Sequence, residues 1–291
     1  MDESIKEYEY HELDPITGTN FNNGGDIRIS IESLDVFTHP SKSYLIFEGR
    51  RTTADGTAYA NADEVALTNN AIMHLFSQTA YHLSYQLIES LNYSGQATTV
   101  LGLLKYPDEF SKAQGLNKLW YKDKSTTAAK AYNDGFPARH AYFMQSSTVK
   151  GTFSFIIPLR HIISFCENDD KIVYGLKHSL IFDRKTDDDS IFRGAVAGAG
   201  KVSLDEILWF VPHVIPVDAE TFSIYKTIES KVKLPVAYRT RQCDMLSVPE
   251  STSFTWRLSV KQLRRNRDLL LLHSKQLKMA IKLKILPHSI I

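Results

Sequence analysis

The chain has 291 residues, 43% of them apolar and 23% charged, with a formal net charge of +1. That composition is ordinary for a globular protein, with enough length for one large or two ordinary domains and a core that needs no disulfides. It excludes a disulfide-stapled miniprotein, because Cys166 and Cys243 are the only cysteines, and no run approaches the roughly eighteen apolar residues of a membrane helix.

The first 25 residues read as a polar, acidic, extended arm that ends in the turn Asn22-Asn23-Gly24-Gly25. No secretory signal is visible in it, and the two cysteines read as reduced thiols of a protein kept in the cytoplasm or nucleus. From Asp26 the pattern is β. Ile27, Ile29 and Ile31 alternate with Arg28, Ser30 and Glu32, and Tyr44 to Phe47 forms a second run closed by Gly49. Tyr81, Leu83, Tyr85 and Leu87 alternate over one further strand. Phe153, Phe155 and Ile157 share a phase, as do Ile207, Trp209 and Val211, and as do Phe254, Trp256, Leu258 and Val260. Helical spacing is confined to Gln96–Lys105 and Asp218–Ser230, and Pro212 and Pro216 mark a domain junction before the second helix. Many short strands with few helices predict a mostly β protein, a sandwich or barrel with a few short helices.

The end of the chain changes character. Residues 261–291 hold eight basic residues and one acid, Asp268, so this tail is +7 and the preceding 260 residues are −6. The tail contains no Gly, Phe, Tyr or Trp, and all 14 glycines lie before it. A basic amphipathic helix is one reading, and sequence never selected to fold is the other. The acidic body argues against a broad nucleic-acid surface outside the tail.

Catalytic chemistry is tested and set aside. His74, His82, His140 and His178 sit singly in strand-like segments, and no H-x-H or H-E-x-x-H occurs. GAVAGAGK over residues 194–201 fails as a phosphate loop, because Ala195 replaces the first glycine and Val202 the hydroxyl residue. Asp169-Asp170 and Asp187-Asp188-Asp189 lack calcium-loop spacing. Cys166 has His161 five residues away but no orienting partner. No catalytic, cofactor-binding or metal-ligating residue is expected.

The strand-bearing segments GGDIRISIESLDVFTHPSKSYLIFEG (24–49), TTVLGLLKYPDEFSKAQGLNKLWYKD (98–123), GTFSFIIPLRHI (151–162), LWFVPHV (208–214) and VPESTSFTWRLSVK (248–261) resemble the double-jelly-roll proteins related to Polinton and adintovirus major capsid proteins. LTNNAIMHLFS (67–77) and VYGLKHSLIFDRKTDDDSIFR (173–193) fall in the same order, so the resemblance runs from about residue 8 to 261. It implies two tandem sandwiches per chain, a homotrimeric pseudo-hexagonal capsomer, neighbouring capsomers as partners, and location in a virion when assembled, with no small-molecule substrate. On that basis residues 1–25 are an arm, 26–214 a first jelly roll, 215–260 the start of a second (a helix and two strands with unpaired edges), and 261–291 an aberrant basic tail. Phe153, Phe155, Trp209, Phe254 and Trp256 are expected in the core, and exposed aromatics of the loop Tyr106–Tyr132, such as Trp120, are candidates for subunit contacts, with core packing the equal alternative for Trp120.

Relatives continue past Lys261 with a Pro-Arg, an Ile-rich strand and Phe-Gln-Thr. Legal codons for the tail, reread one nucleotide back, produce such a continuation, with Leu269–Leu272 becoming Ile-Ile-Ile-Ala. The expectation is a reading-frame change near Lys261 in a truncated, genome-integrated copy. The competing expectation is a β-sandwich recruited by a host as a binding module.

Overall fold

The computed structural model describes residues 4–123, 134–144, 150–186, 191–193, 200–231, 234–247, 269–275 and 277–290. The chain opens with three strands, β1 (Ile5–Leu13), β2 (Gly25–Ile31) and the two-residue β3 (Phe37–Thr38). Next come β4 (Tyr44–Thr53), β5 (Val65–Leu67), the single turn α1 (Ala71–His74), β6 (Phe76–Leu83), β7 (Gln86–Asn92) and α2 (Ser94–Lys105). The middle carries α3 (Gly135–Met144), β8 (Thr152–Pro158), α4 (Ser164–Asn168), β9 (Val173–Tyr174), β10 (His178–Arg184), β11 (Ile191–Arg193) and the long β12 (Gly200–Pro216). After it lie α5 (Asp218–Glu229), β13 (Leu234–Ser247), β14 (Leu269–Lys275) and β15 (Leu277–Ile290). The mostly β expectation holds.

Two antiparallel sheets make the sandwich. One runs β8-β4-β12-β3-β9 with β1 on the far edge of β12, and the other runs β2-β10-β6-β7. Period-two patterning decides which side chains meet between them. Ile27, Ile29 and Ile31 of β2, Leu180 and Phe182 of β10, and Phe153, Phe155 and Ile157 of β8 are all buried. Phe47 from one layer meets Phe76 and Phe182 from the other at 6.0 and 5.9 Å between ring centres. Gly49 is required where β4 passes β12, since a Cβ there would lie 2.1 Å from the Ser203 carbonyl oxygen. His178 stitches the layers: its Nε2 lies 3.0 Å from Thr38 Oγ1 and its Nδ1 2.7 Å from the Tyr81 hydroxyl.

Several expectations change. The arm is a strand over Ile5–Leu13, laddered along β12 from Pro216 to Trp209. Pro212 lies inside β12 and Pro216 is its last residue, just before α5. The strand expected through Tyr81–Leu87 is a hairpin: β6 ends at Leu83, Ser84 and Tyr85 take φ of 43° and 69°, and β7 returns. His74 and His140 fall in α1 and α3 rather than in strands. Trp120 is 1% exposed, so it is core and not a surface contact. It lies against Gly102 of α2, where a Cβ would come within 2.3 Å of its ring.

The two expected helices appear as α2 and α5. Beyond them β13 pairs with β15, and β15 with β14, in a separate three-stranded sheet. Strands 269–275 and 277–290 therefore occupy the tail, where the sequence suggested a helix or no fold. Phe254, Trp256, Leu258 and Val260 lie outside the described residues, as do Asp187–Asp189 and residues 194–199.

Candidate assembly surface

A protein that works by self-association presents edges and apolar faces, so those are the features to weigh. Among the described residues the two sheets end on β8, β9, β1, β2 and β7. The β2 edge is partly covered by the preceding segment, where Pro15 bridges Ile29 and the Ile16 amide donates to the Arg28 carbonyl. β1 covers the β12 edge while all its side chains but those of Ile5 and Leu13 face solvent. β8 is an uncharged edge strand whose Ile156 is exposed.

The β7 edge is closed by a different device. Glu89 belongs to the inward row Ile29–Leu180–Tyr81–Glu89 and is buried. Its Oε2 accepts from the Ser164 amide at 2.7 Å, and its Oε1 accepts from the Arg241 amide of β13 at 3.1 Å. Burial raises its pKa, against the lowering influence of the Arg241 charge. The Arg241 guanidinium donates to the Ile162 carbonyl at 2.7 Å and to Glu167 Oε2 at 2.6 Å. Tyr238, also buried, donates to the Ile88 carbonyl at 3.2 Å. β13 is thus held beside β7 by side chains rather than by a continued backbone ladder.

Near it Lys118 is buried among three rings, with Nζ 4.8 Å from the Tyr106, 5.4 Å from the Phe110 and 5.0 Å from the Trp120 ring centre. Burial, then the Arg241 charge, lowers Lys118 to a pKa of about 7. His161 Nδ1 lies 3.4 Å from that amine and is kept neutral by burial and by Lys118.

Three large apolar side chains are exposed on α5. None of its residues is buried, and Phe222 is 77%, Ile228 51% and Tyr225 46% exposed. Acids Asp218 and Glu220 in the first turn suit the helix dipole, so the segment is a sound helix whose apolar face lacks full cover. Beside it opens a cavity of about 970 Å³, lined by residues that include Phe37, Phe165, Ile172, Tyr174, Ile224 and Val236.

The residues weighed for chemistry are scattered. Cys166 is buried and unpaired, and burial pushes its thiol well up, the reverse of an activated nucleophile. His140 bonds the Asp63 carbonyl at 2.9 Å. Burial lowers the pKa of His82. Asp170 is engaged by His39 at 2.9 Å and Lys42 at 3.0 Å, and by Ser41. Among the described residues no three His, Cys, Asp or Glu side chains group as metal ligands. The Glu89–Arg241 pair and the Lys118 cage were not foreseen, because their members lie far apart in sequence and carry no local signal.

A family model described as "double jelly roll-like domain" matches residues 65–286. Among solved structures, the chain is similar to the Faustovirus major capsid protein at 10% identity and a TM-score of 0.48, over 82% of this chain and 58% of that one. It is similar to a chain of the PBCV-1 virus capsid at 11% identity and 0.44, over 92% and 53%. For the mavirus major capsid protein the values are 10% and 0.43, over 81% and 50%. The chain thus spans about half the length of these structures. None of the curated proteins compared matches it.

Proposed function

Since the chain belongs to the double jelly roll-like domain family, we propose that it is a structural building block of the viral capsid type, acting by self-association and without a reaction of its own. The observation that carries the reading is the family match, which covers more than half of the chain. The sandwich supports it. Its core is apolar and well enclosed, and among the exposed apolar side chains three, Phe222, Tyr225 and Ile228, lie on the single helix α5. On this reading three copies form a capsomer, capsomers are the neighbouring partners, and the assembled protein resides in a virion. Among the described residues no helix is long and apolar enough to cross a membrane.

The test is expression of the full chain, followed by sedimentation and negative-stain microscopy. Trimers or particles are the expected result. A stable monomer at high concentration overturns the proposal and favours the recruited binding module.

The finer identity, a Polinton- or adintovirus-type copy integrated in a genome, rests on the sequence resemblance. A reading-frame change near Lys261 is supported by the loss of glycine and aromatic residues beyond it. The family match running to residue 286 and the pairing of β15 with β13 weigh against it. The nucleotide sequence across Lys261 decides: leucine codons at 269–272 that cannot yield isoleucine in the neighbouring frame end the idea.

A further inference from the structure

We propose that β1 is an acid-released latch, a strand that closes the β12 edge at neutral pH and leaves it when the stacked pair His11–His213 becomes doubly charged. The inference does not depend on the chain being a shell subunit. β1 contributes little buried apolar surface, since only its terminal residues Ile5 and Leu13 are even partly buried. What retains it is its ladder to β12 and a few ring contacts. Chief among these is His11 of β1 lying on His213 of β12, with ring centres 3.9 Å apart and planes 18° from parallel. Two neutral imidazoles stack favourably, whereas two imidazolium ions at that distance repel.

The surroundings favour a switch over a fixed contact. His213 Nε2 is buried and makes no hydrogen bond, so no acceptor there meets a proton on that nitrogen. Burial and then the His11 charge depress the His213 pKa, and His213 in turn opposes charge on His178 of β10. Glu9 of β1 is the acid that faces the pair: it is the ladder partner of His213, and its Oε2 lies 3.9 Å from His11 Nε2, on the exposed side of β1. The other seam contacts do not set two like charges against each other. His39 sits between Tyr8 of β1 and Asp170, whose pKa is held far below the carboxylate range by Ser41, Lys42 and His39. Tyr10 donates to the Lys42 carbonyl at 3.3 Å. Because the folded pKa of His213 is depressed, its contribution is present above the unfolded value of about 6.5 and is lost as pH falls through the folded value.

Hydrogen exchange of the full chain at pH 7.4 and pH 5.0, corrected for intrinsic rates, tests this. The expected result is that amides of Ile5–Leu13 and of residues 209–216 exchange at least about tenfold faster at pH 5.0. Those of β10 should keep their protection, and His11→Phe, which retains the ring stack without the charge, should hold β1 closed at both pH values. Unchanged β1 protection at pH 5.0 overturns the latch. So does an equal loss in β10, or a loss in His11→Phe matching that of the wild type.

Discussion

The sandwich that ends at Pro216 and the segment that follows it solve the problem of burial in opposite ways. In the sandwich, strand after strand delivers an alternating apolar face, so Ile29, Phe47, Leu180 and Trp209 are fully enclosed. After Pro216, no residue of α5 is buried. β13 reaches the sandwich partly by apolar burial, with Tyr238 in the core and Cys243 clustered with Leu91 and Leu101, and partly through the contacts of Arg241 with Glu89 and Glu167. Stability in the first region is a property of area removed from water, which is forgiving of detail. Attachment in the second adds to a small apolar contact a few buried charged groups whose partners must all be present.

The largest effect that sharpens this contrast is truncation of Trp209. It is fully buried in β12, at the centre of the sheet, and Trp209→Ala should cost about 3–5 kcal/mol in urea unfolding. Phe222→Ala on α5 should cost less than about 0.5 kcal/mol by the same measurement. Equal losses would mean that α5 is as well packed as the sandwich and would dissolve the distinction.

Next comes Arg241. Arg241→Met leaves Glu89 buried without its chief opposing charge and leaves the His161 and Ile162 carbonyls without their donor. Loss of one partner from such a buried set costs about 3 kcal/mol. If β13 is attached as described, the loss is local: limited proteolysis near Lys231 should quicken several-fold while the unfolding of the sandwich changes little. A uniform loss of stability with no new cleavage would show β13 to be integral to the sandwich core.

How much of this was legible in the sequence follows the same division. Ile27–Ile31, Phe153–Ile157 and Ile207–Val211 declare their strands, because alternation is a local property that burial on one face enforces. The hairpin at Ser84–Tyr85 was hidden, because a tight turn usually signals itself with Gly or Asn at positive φ, and neither stands there. The apolar phase ran through the turn and read as one strand. The row that carries Glu89 inward and the meeting of His11 with His213 are set by pairing between strands, and the placement of Trp120 by packing against Gly102, Tyr106 and Phe110, none of which a local pattern encodes. The tail carries the same lesson: its composition differs from the body, yet backbone pairing joins it to β13.

Lys118 separates the two regions by pH. Folding depresses its pKa to about 7 against an unfolded value of about 10.4, so the unfolded chain binds the extra proton between those values and stability rises with pH through that window. Replacing it by Met removes a buried charge but keeps the stem that fills the ring cage. Lys118→Met should stabilise the fold at pH 7 by about 1–2 kcal/mol. It should also flatten the wild-type rise in stability between pH 7 and 9 by up to about 1.4 kcal/mol per pH unit. Urea titrations at pH 7, 8 and 9 measure both. A variant less stable than the wild type would show that the cation–π contacts outweigh the cost of burial.

The smallest expected change in stability is the most telling about function. Phe222→Ser on the exposed face of α5 should leave the urea midpoint unaltered within about 0.5 kcal/mol, because its ring touches little that unfolding would expose further. If α5 is a subunit contact, the same substitution should shift sedimentation of the full chain toward monomer, since removing a large apolar side chain from an interface centre costs association far more than folding. A midpoint that holds while the oligomer weakens assigns α5 to assembly. An oligomer indifferent to the change moves the assembly surface to the β8 edge, where Ile156 is the next apolar side chain to test.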